Sequence, residues 1–209
     1  MFLNHGQDFA QFVPADTAAK PQALPMPERR DVSTFKAGTM LETPSGWKTV
    51  ETLAVGDQVY TLDGGFAELT RIRKHRVTAG AARAIHVPAG SLNNCSDMML
   101  TTGQHVALLE AECETLFQAP CVLAPASALC GFRGITSVSG YSDIETTELT
   151  FANEEIVYAQ TGALIHVPSG VTKPFFRTLG YGETRALLAL LNRGHCGLDP
   201  MGFAPAQAA

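Results

Sequence analysis

The chain has 209 residues, 45% of them hydrophobic and 17% charged, with a formal charge of −5 at pH 7. That length supports one good core without requiring two, and the composition is too apolar for a disordered chain. The negative charge and a pI near 5.6 argue against a general nucleic-acid binder, which needs a positive field.

Residues 1–31 carry Pro14, Pro21, Pro25 and Pro27 among Ala, Lys and Asp without sustained periodicity, which predicts a flexible leader. Phe9, Phe12 and Val13 are its side chains best suited to docking on the body. Its opening residues lack a basic stretch followed by an apolar one, so no secretory signal is expected. Pro44-Ser45-Gly46 predicts a turn, with a short extended segment from Trp47 to Leu53. Val59 to Leu62 then runs into Asp63-Gly64-Gly65, and Asp-Gly supplies the positive φ values of a tight hairpin. The basic run Arg71, Arg73, Lys74, His75 and Arg76 would divide between the two faces of a strand and reads as a solvated edge. Further strands are predicted at Ala84–Val87, Met98–Thr101, Val106–Leu109, Thr146–Phe151 and Ile156–Ala159. They are short and separated by turn residues, a spacing that suits a barrel or sandwich better than a βαβ alternation. One segment has helical spacing: Leu187, Leu190 and Leu191 follow Tyr181, with Glu183 in the first turn and Gly194 just past the end. Residues 195–209 read as a loose tail. The expected organisation is a leader over 1–31, an all-β domain with one short C-terminal helix over 32–194, and the tail.

Ile85-His86-Val87-Pro88-Ala89-Gly90 recurs as Ile165-His166-Val167-Pro168-Ser169-Gly170. Two matching strand ends in a β domain of two related halves would explain the echo, and so would chance. Both histidines read as strand residues rather than ligands, because no partner ligands sit at metal spacing. The five cysteines, Cys95, Cys113, Cys121, Cys130 and Cys196, form no C-x-x-C and no zinc-type pair with His, so neither a metal nor a disulfide framework is expected. No uncharged apolar run of 18 residues appears, which predicts no membrane span and a cytoplasmic protein. The phosphate-loop, dinucleotide, zinc-protease and hydrolase-elbow signatures are all missing, and no cofactor is expected.

Two segments carry a family resemblance. The first runs from Thr34-Phe35-Lys36-Ala37-Gly38-Thr39 through Thr43-Pro44-Ser45-Gly46 and Val50-Glu51-Thr52-Leu53-Ala54-Val55-Gly56-Asp57-Gln58-Val59 to Asp63-Gly64-Gly65. It resembles the opening of a Hint (Hedgehog/intein) domain of the bacterial kind. The second, Leu100-Thr101-Thr102-Gly103-Gln104-His105-Val106, is similar to that family's T-x-x-H block. Downstream, Ile156-Val157-Tyr158-Ala159-Gln160-Thr161-Gly162 is similar to the strand and turn near the domain's end, so the match covers residues 33–170. The resemblance implies an all-β horseshoe of two pseudo-symmetric halves. It also implies an acyl shift in which the domain's first residue attacks the preceding carbonyl while the Thr and His of T-x-x-H polarise and protonate the scissile amide. Carried across, the nucleophile position falls on Thr34, the scissile bond on Ser33–Thr34, and the assisting pair on Thr102 and His105.

The departures shape the functional expectation. Thr34 replaces the usual cysteine; its hydroxyl is a weak nucleophile without a base, and its β-branch crowds the attacking atom. Ser33 is one position out of register for that role. Glu154 stands where relatives often carry a histidine, and no His-Asn dipeptide exists to close a splicing reaction. Self-cleavage lost or severely slowed, with the scaffold kept for binding or structure, is one expectation. Active cleavage at Ser33–Thr34 with Thr102 and His105 assisting is the other, and an N-terminal nucleophile hydrolase is disfavoured by the scarcity of helix. His105 reads as a core histidine ahead of a catalytic relic facing Thr34 and Thr102. The expected partner is the chain's own N-terminal segment or an unknown protein.

Overall fold

The computed structural model describes residues 33–63, 65–77, 83–139, 144–169 and 174–196. The leader expected over 1–31 and most of the expected tail lie outside these residues. In chain order the strands are β1 (Thr34–Lys36), β2 (Met40–Thr43), β3 (Gly46–Thr49), β4 (Gln58–Thr61), β5 (Gly65–Val77), β6 (Arg83–Val87) and β7 (Met98–Thr101). They continue as β8 (His105–Leu108), β9 (Val122–Pro125), β10 (Thr136–Ser139), β11 (Ile144–Phe151), β12 (Glu155–Ala159), β13 (Ala163–Val167) and β14 (Arg177–Thr178). The helices are α1 (Ala111–Phe117) and α2 (Tyr181–Cys196).

The strands build one sheet curled into a half-barrel, in the order β10-β6-β7-β1-β11-β5-β4-β12-β13-β8-β9-β14, with β2 on β12 and β3 on β2. This is the expected all-β horseshoe with a short C-terminal helix. One half holds β10, β6, β7, β1 and β11; the other holds β4, β12, β13, β8, β9 and β14. The echoed hexapeptides end β6 in the first half and β13 in the second.

The long β5 bridges the halves. Its first residues pair with β4, from Thr61↔Gly65 to Gln58↔Glu68, and its later ones pair with β11, from Leu69↔Phe151 to Val77↔Ile144. The basic run is therefore an interior strand and not the solvated edge expected. Its side chains remain exposed because β11 supplies acids across the ladder: His75 and Arg71 meet Glu148 at 3.0 and 4.0 Å, and Arg76 meets Glu145 at 3.5 Å. The hairpin at Asp63 forms as expected, with Gly65 at φ +82. The extended segment after Trp47 is shorter than expected. Strand β3 stops at Thr49, and a 3-10 turn over Val50–Thr52 drops Val50 into the core.

Alternation along the strands sorts the core. Phe35, Leu69, Ile85, Leu100, Val106, Leu149 and Ile165 are all buried in the main cluster. Helix α2 closes it, but with a stripe shifted from the one expected. Thr184, Leu187, Leu188 and Leu191 are buried while Leu190 is 39% exposed, because positions i, i+3, i+4 and i+7 from Thr184 share the inner face. The helix also runs through Gly194 to Cys196. At its start Glu183 accepts the Gly180 N–H at 2.8 Å and pairs with Arg177 at 3.1 Å, and those two contacts hold its carboxyl below the usual range. Helix α1, seven residues long, was too short to show a period in the sequence.

The β12–β13 turn has a packing constraint that can be tested. Gln160 and Thr161 take positive φ, and a Cβ on Gly162 would run into the Asn93 carbonyl. The same loop is tied down by Cys95 N–H donating to Gln160 O at 2.9 Å. Gly162→Ala is expected to cost about 1–3 kcal/mol through this clash. Gly182→Ala, in open space on α2, is expected to gain about 0.4–1 kcal/mol. Urea unfolding of the two variants checks both signs.

Candidate functional site

Strand β1 lies inside the sheet, between β7 and β11. Phe35 is 1% exposed and pairs with Leu100 and Thr147, so alternation turns Thr34 to the opposite face, away from the core. There the Thr34 hydroxyl donates to Thr101 Oγ1 at 3.3 Å, and the Thr101 hydroxyl donates to the Thr34 carbonyl at 3.3 Å. Thr101, rather than Thr102, is thus the hydroxyl that meets Thr34. Thr102 sits in the turn after β7 and is exposed. Across the other edge, the Cα partner of Thr34 is Glu148, whose carboxylate is bonded to His75.

The turn from β7 to β8 is built by Gln104, which is 1% exposed. Its Oε1 accepts the Thr101 N–H at 2.7 Å, its own N–H donates to Thr101 O at 3.1 Å, and its carbonyl accepts the Ala126 N–H at 2.9 Å. Among the described residues, two buried side-chain polar atoms have no hydrogen-bond partner: Gln104 Nε2 and Ser33 Oγ. An unmet buried donor of this kind costs roughly 1–3 kcal/mol.

His105 opens β8, half-buried. The pairing Ile165↔Val106 brings His166 opposite it, and the two rings meet edge to face with centroids 6.2 Å apart. His166 Nε2 is 2.7 Å from Glu154 Oε1, with the two side chains only 9% and 7% exposed. Glu154, which stands where relatives often carry a histidine, therefore faces an imidazole supplied by the neighbouring strand. The echoed His86 has a parallel partner in Asp97, 3.0 Å away, whose carboxyl is held low by the Ala89 N–H and by His86. Sequence reasoning named Thr34, Thr102 and His105 as site residues, gave Thr101 and Gln104 no role, and did not pair Glu154 with His166. The signal for the last pair was the repeated Ile-His-Val-Pro.

Cys95, Cys113, Cys121 and Cys130 are free thiols, and burial pushes Cys121 up to about 11. Among the described residues, no group of three or more His, Cys, Asp or Glu side chains is placed to hold a metal ion, and no helix is long and apolar enough to cross a membrane.

The Glu154–His166 pair makes a stability prediction. His166→Leu leaves the Glu154 carboxylate buried without its imidazole and is expected to cost about 3–5 kcal/mol. Replacing both residues by leucine is expected to cost less than the single change, which chemical denaturation of the two proteins decides.

Comparison with known proteins bears on the same region. Among solved structures, the chain is similar to a bacterial intein-like domain from Clostridium thermocellum. Identity is 14%, the match covers 64% of this chain and 97% of that one, and the TM-score is 0.47. It is also similar to a substituted gp41-1 intein, with 13% identity, 65% and 98% coverage and a TM-score of 0.44. A splice-inactive AceL NrdHF class 3 split intein matches at 14% identity, with 65% and 98% coverage and a TM-score of 0.45. No curated protein matches the chain. The sequence pattern of the Hint domain matches residues 33–164, well over half the chain, and the chain belongs to the Hint domain family.

Proposed function

We propose that the protein is a Hint-type autoprocessing module whose self-cleavage at Ser33–Thr34 is severely slowed, and which does not splice. The observation that carries this reading is the placement of Thr34: it is held on an interior strand, its hydroxyl and carbonyl both bonded to Thr101, with the buried Ser33 immediately before it.

The chemistry follows from that arrangement. Thr34 Oγ1 attacks the Ser33 carbonyl carbon, a C–O bond forms, and the C–N bond to Thr34 breaks. The hydroxyl proton leaves, and the departing nitrogen gains one to become the free Thr34 amine. Water then hydrolyses the ester and releases residues 1–33 with a Ser33 carboxylate. Thr34 and His105 keep the roles the family resemblance gave them, nucleophile and proton donor to the amide. The hydroxyl assistance passes from Thr102 to Thr101, which already bonds Thr34. The slowness comes from the nucleophile, because a hydroxyl gives up its proton far less readily than a thiol. The absence of a His-Asn dipeptide in the sequence supports cleavage without splicing.

The test is the intact mass of purified protein followed over prolonged incubation with hydroxylamine. Thr34→Cys is expected to release residues 1–33 as the Ser33 hydroxamate faster than the natural chain, and Thr34→Ala to release nothing. Adding His105→Ala to Thr34→Cys is expected to slow release by about 10²–10⁴-fold. A correctly folded Thr34→Cys protein that keeps its full mass would overturn the reading and leave a scaffold that does not cut.

A further inference from the structure

Strand β5 carries two unlike surfaces on one face. Ala67, Leu69 and Ile72 pack on the main core, and a bulge at Thr70 absorbs the odd spacing between Leu69 and Ile72. Phe66, Glu68, Arg71, Arg73 and His75 therefore share the outward face, and all five are exposed. The first end is aromatic and acidic. The Phe66 ring lies 5.3 Å from Tyr60, which stacks on Tyr158 at 5.2 Å, so three rings cross three neighbouring strands. Burial first, then Tyr60, Glu42 and Asp63, hold the Tyr158 phenol above its usual range, which places two carboxylates near the rings. The second end is basic. Arg71 and His75 both lean on Glu148, at 4.0 and 3.0 Å. Between the ends, neither Glu68 nor Arg73 has an ion-pair partner among the described residues.

We propose that a second copy of this chain docks antiparallel on the outward face of β5, the acidic, aromatic end of each copy lying on the basic end of the other. A two-fold axis passing between Thr70 and Arg71 reverses the order of residues along the strand. It sets Glu68 of one copy against Arg73 of the other, and Phe66 against His75, each contact made twice. The two unpartnered charges then satisfy each other, and the arginines reach the rings, where a cation is attracted to the aromatic face. The charge pattern selects a second copy over an unrelated protein, because one strand already carries both halves of the match in the order a two-fold contact needs. The chain as a whole carries −5, so unspecific association of copies is opposed and only a contact that pairs opposite charges locally overcomes it.

The experiment is sedimentation equilibrium of the full chain, with circular dichroism recorded alongside to confirm folding. The natural chain is expected to dimerise, and Glu68→Lys and Arg73→Glu are each expected to raise the dimer dissociation constant by about tenfold or more. Each variant brings like charges together at both of its contacts. Their equimolar mixture is expected to recover the natural affinity, because one contact is then the natural pair and the other is the same pair reversed. A natural chain that stays monomeric at the highest soluble concentration overturns the proposal and leaves the face to another part of the chain or another protein. A dimer that neither change weakens, or a mixture no tighter than the single variants, overturns it as well. Should Arg73→Glu fail to fold beside Glu148, the double variant Glu68→Gln with Arg73→Gln serves. The natural dimer is expected to weaken as salt is raised, and the double variant to be weaker and to respond less. A double variant with the natural affinity and salt response overturns the contact.

Discussion

The pairing of the three-residue strand β1 between two longer strands is the constraint on which the site depends. Phe35 is buried against Leu100 and Thr147, and side chains alternate with a period of two, so a slip of one residue would expel Phe35 and drive Thr34 and Lys36 into the core. The register is therefore fixed by the apolar residue and not by the polar ones beside it. Everything proposed at Ser33–Thr34 follows from that single anchor: Thr34 faces Thr101, Glu148 lies across the ladder, and Ser33 is buried just before the strand. The bond at which cleavage is proposed is placed by an ordinary hydrophobic contact.

Two connections between the halves of the half-barrel carry the remaining geometry. Strand β5 crosses as a continuous ladder, held on one side by β4 and on the other by β11, and the turn at Gln104 crosses as a knot of hydrogen bonds. Each half contributes one echoed histidine bonded to a carboxylate, His86 to Asp97 and His166 to Glu154, but their surroundings differ. Asp97 is 64% exposed, whereas the His166–Glu154 pair is nearly dry. The same hexapeptide thus yields a solvated pair in one half and a buried one beside His105 in the other. A buried pair seldom improves stability over well-packed apolar residues, so this pair is weak evidence for the strength of the fold.

The sheet was largely legible in the sequence because short alternating runs between turn residues have few other solutions, and β7 and the hairpin at Asp63 were read closely. The site was only partly legible, and the reasons are geometric. A T-x-x-H pattern fixes residue types but not strand phase: β7 ends at Thr101, so the adjacent Thr102 falls in the turn and the first threonine of the pair is the one that meets Thr34. Glu154 and His166 are twelve positions apart and meet only because β12 and β13 form a hairpin, which a linear scan for metal or catalytic spacing cannot reveal. The basic run looked like an edge because its partner acids, Glu145 and Glu148, lie some seventy residues downstream in β11. Gln104 carried no signal, because its bonds to Thr101 and Ala126 exist only once the β7–β8 turn closes.

Thr34 sits where two demands conflict. As a strand residue, threonine is well chosen: its β-branch suits the pleated backbone, and its hydroxyl and carbonyl secure the start of the domain through Thr101. As a nucleophile it is poor, and the bond that secures it also occupies the atom that must attack. A cysteine would reverse the balance, gaining a reactive thiolate and giving up the stronger hydrogen bond. The unpartnered Gln104 amide and the buried Glu154–His166 pair are features that stability alone would remove, whereas Thr34 is one that stability favours. Under the proposed acyl shift, the hydroxyl that anchors the first strand of the domain is also the weak nucleophile.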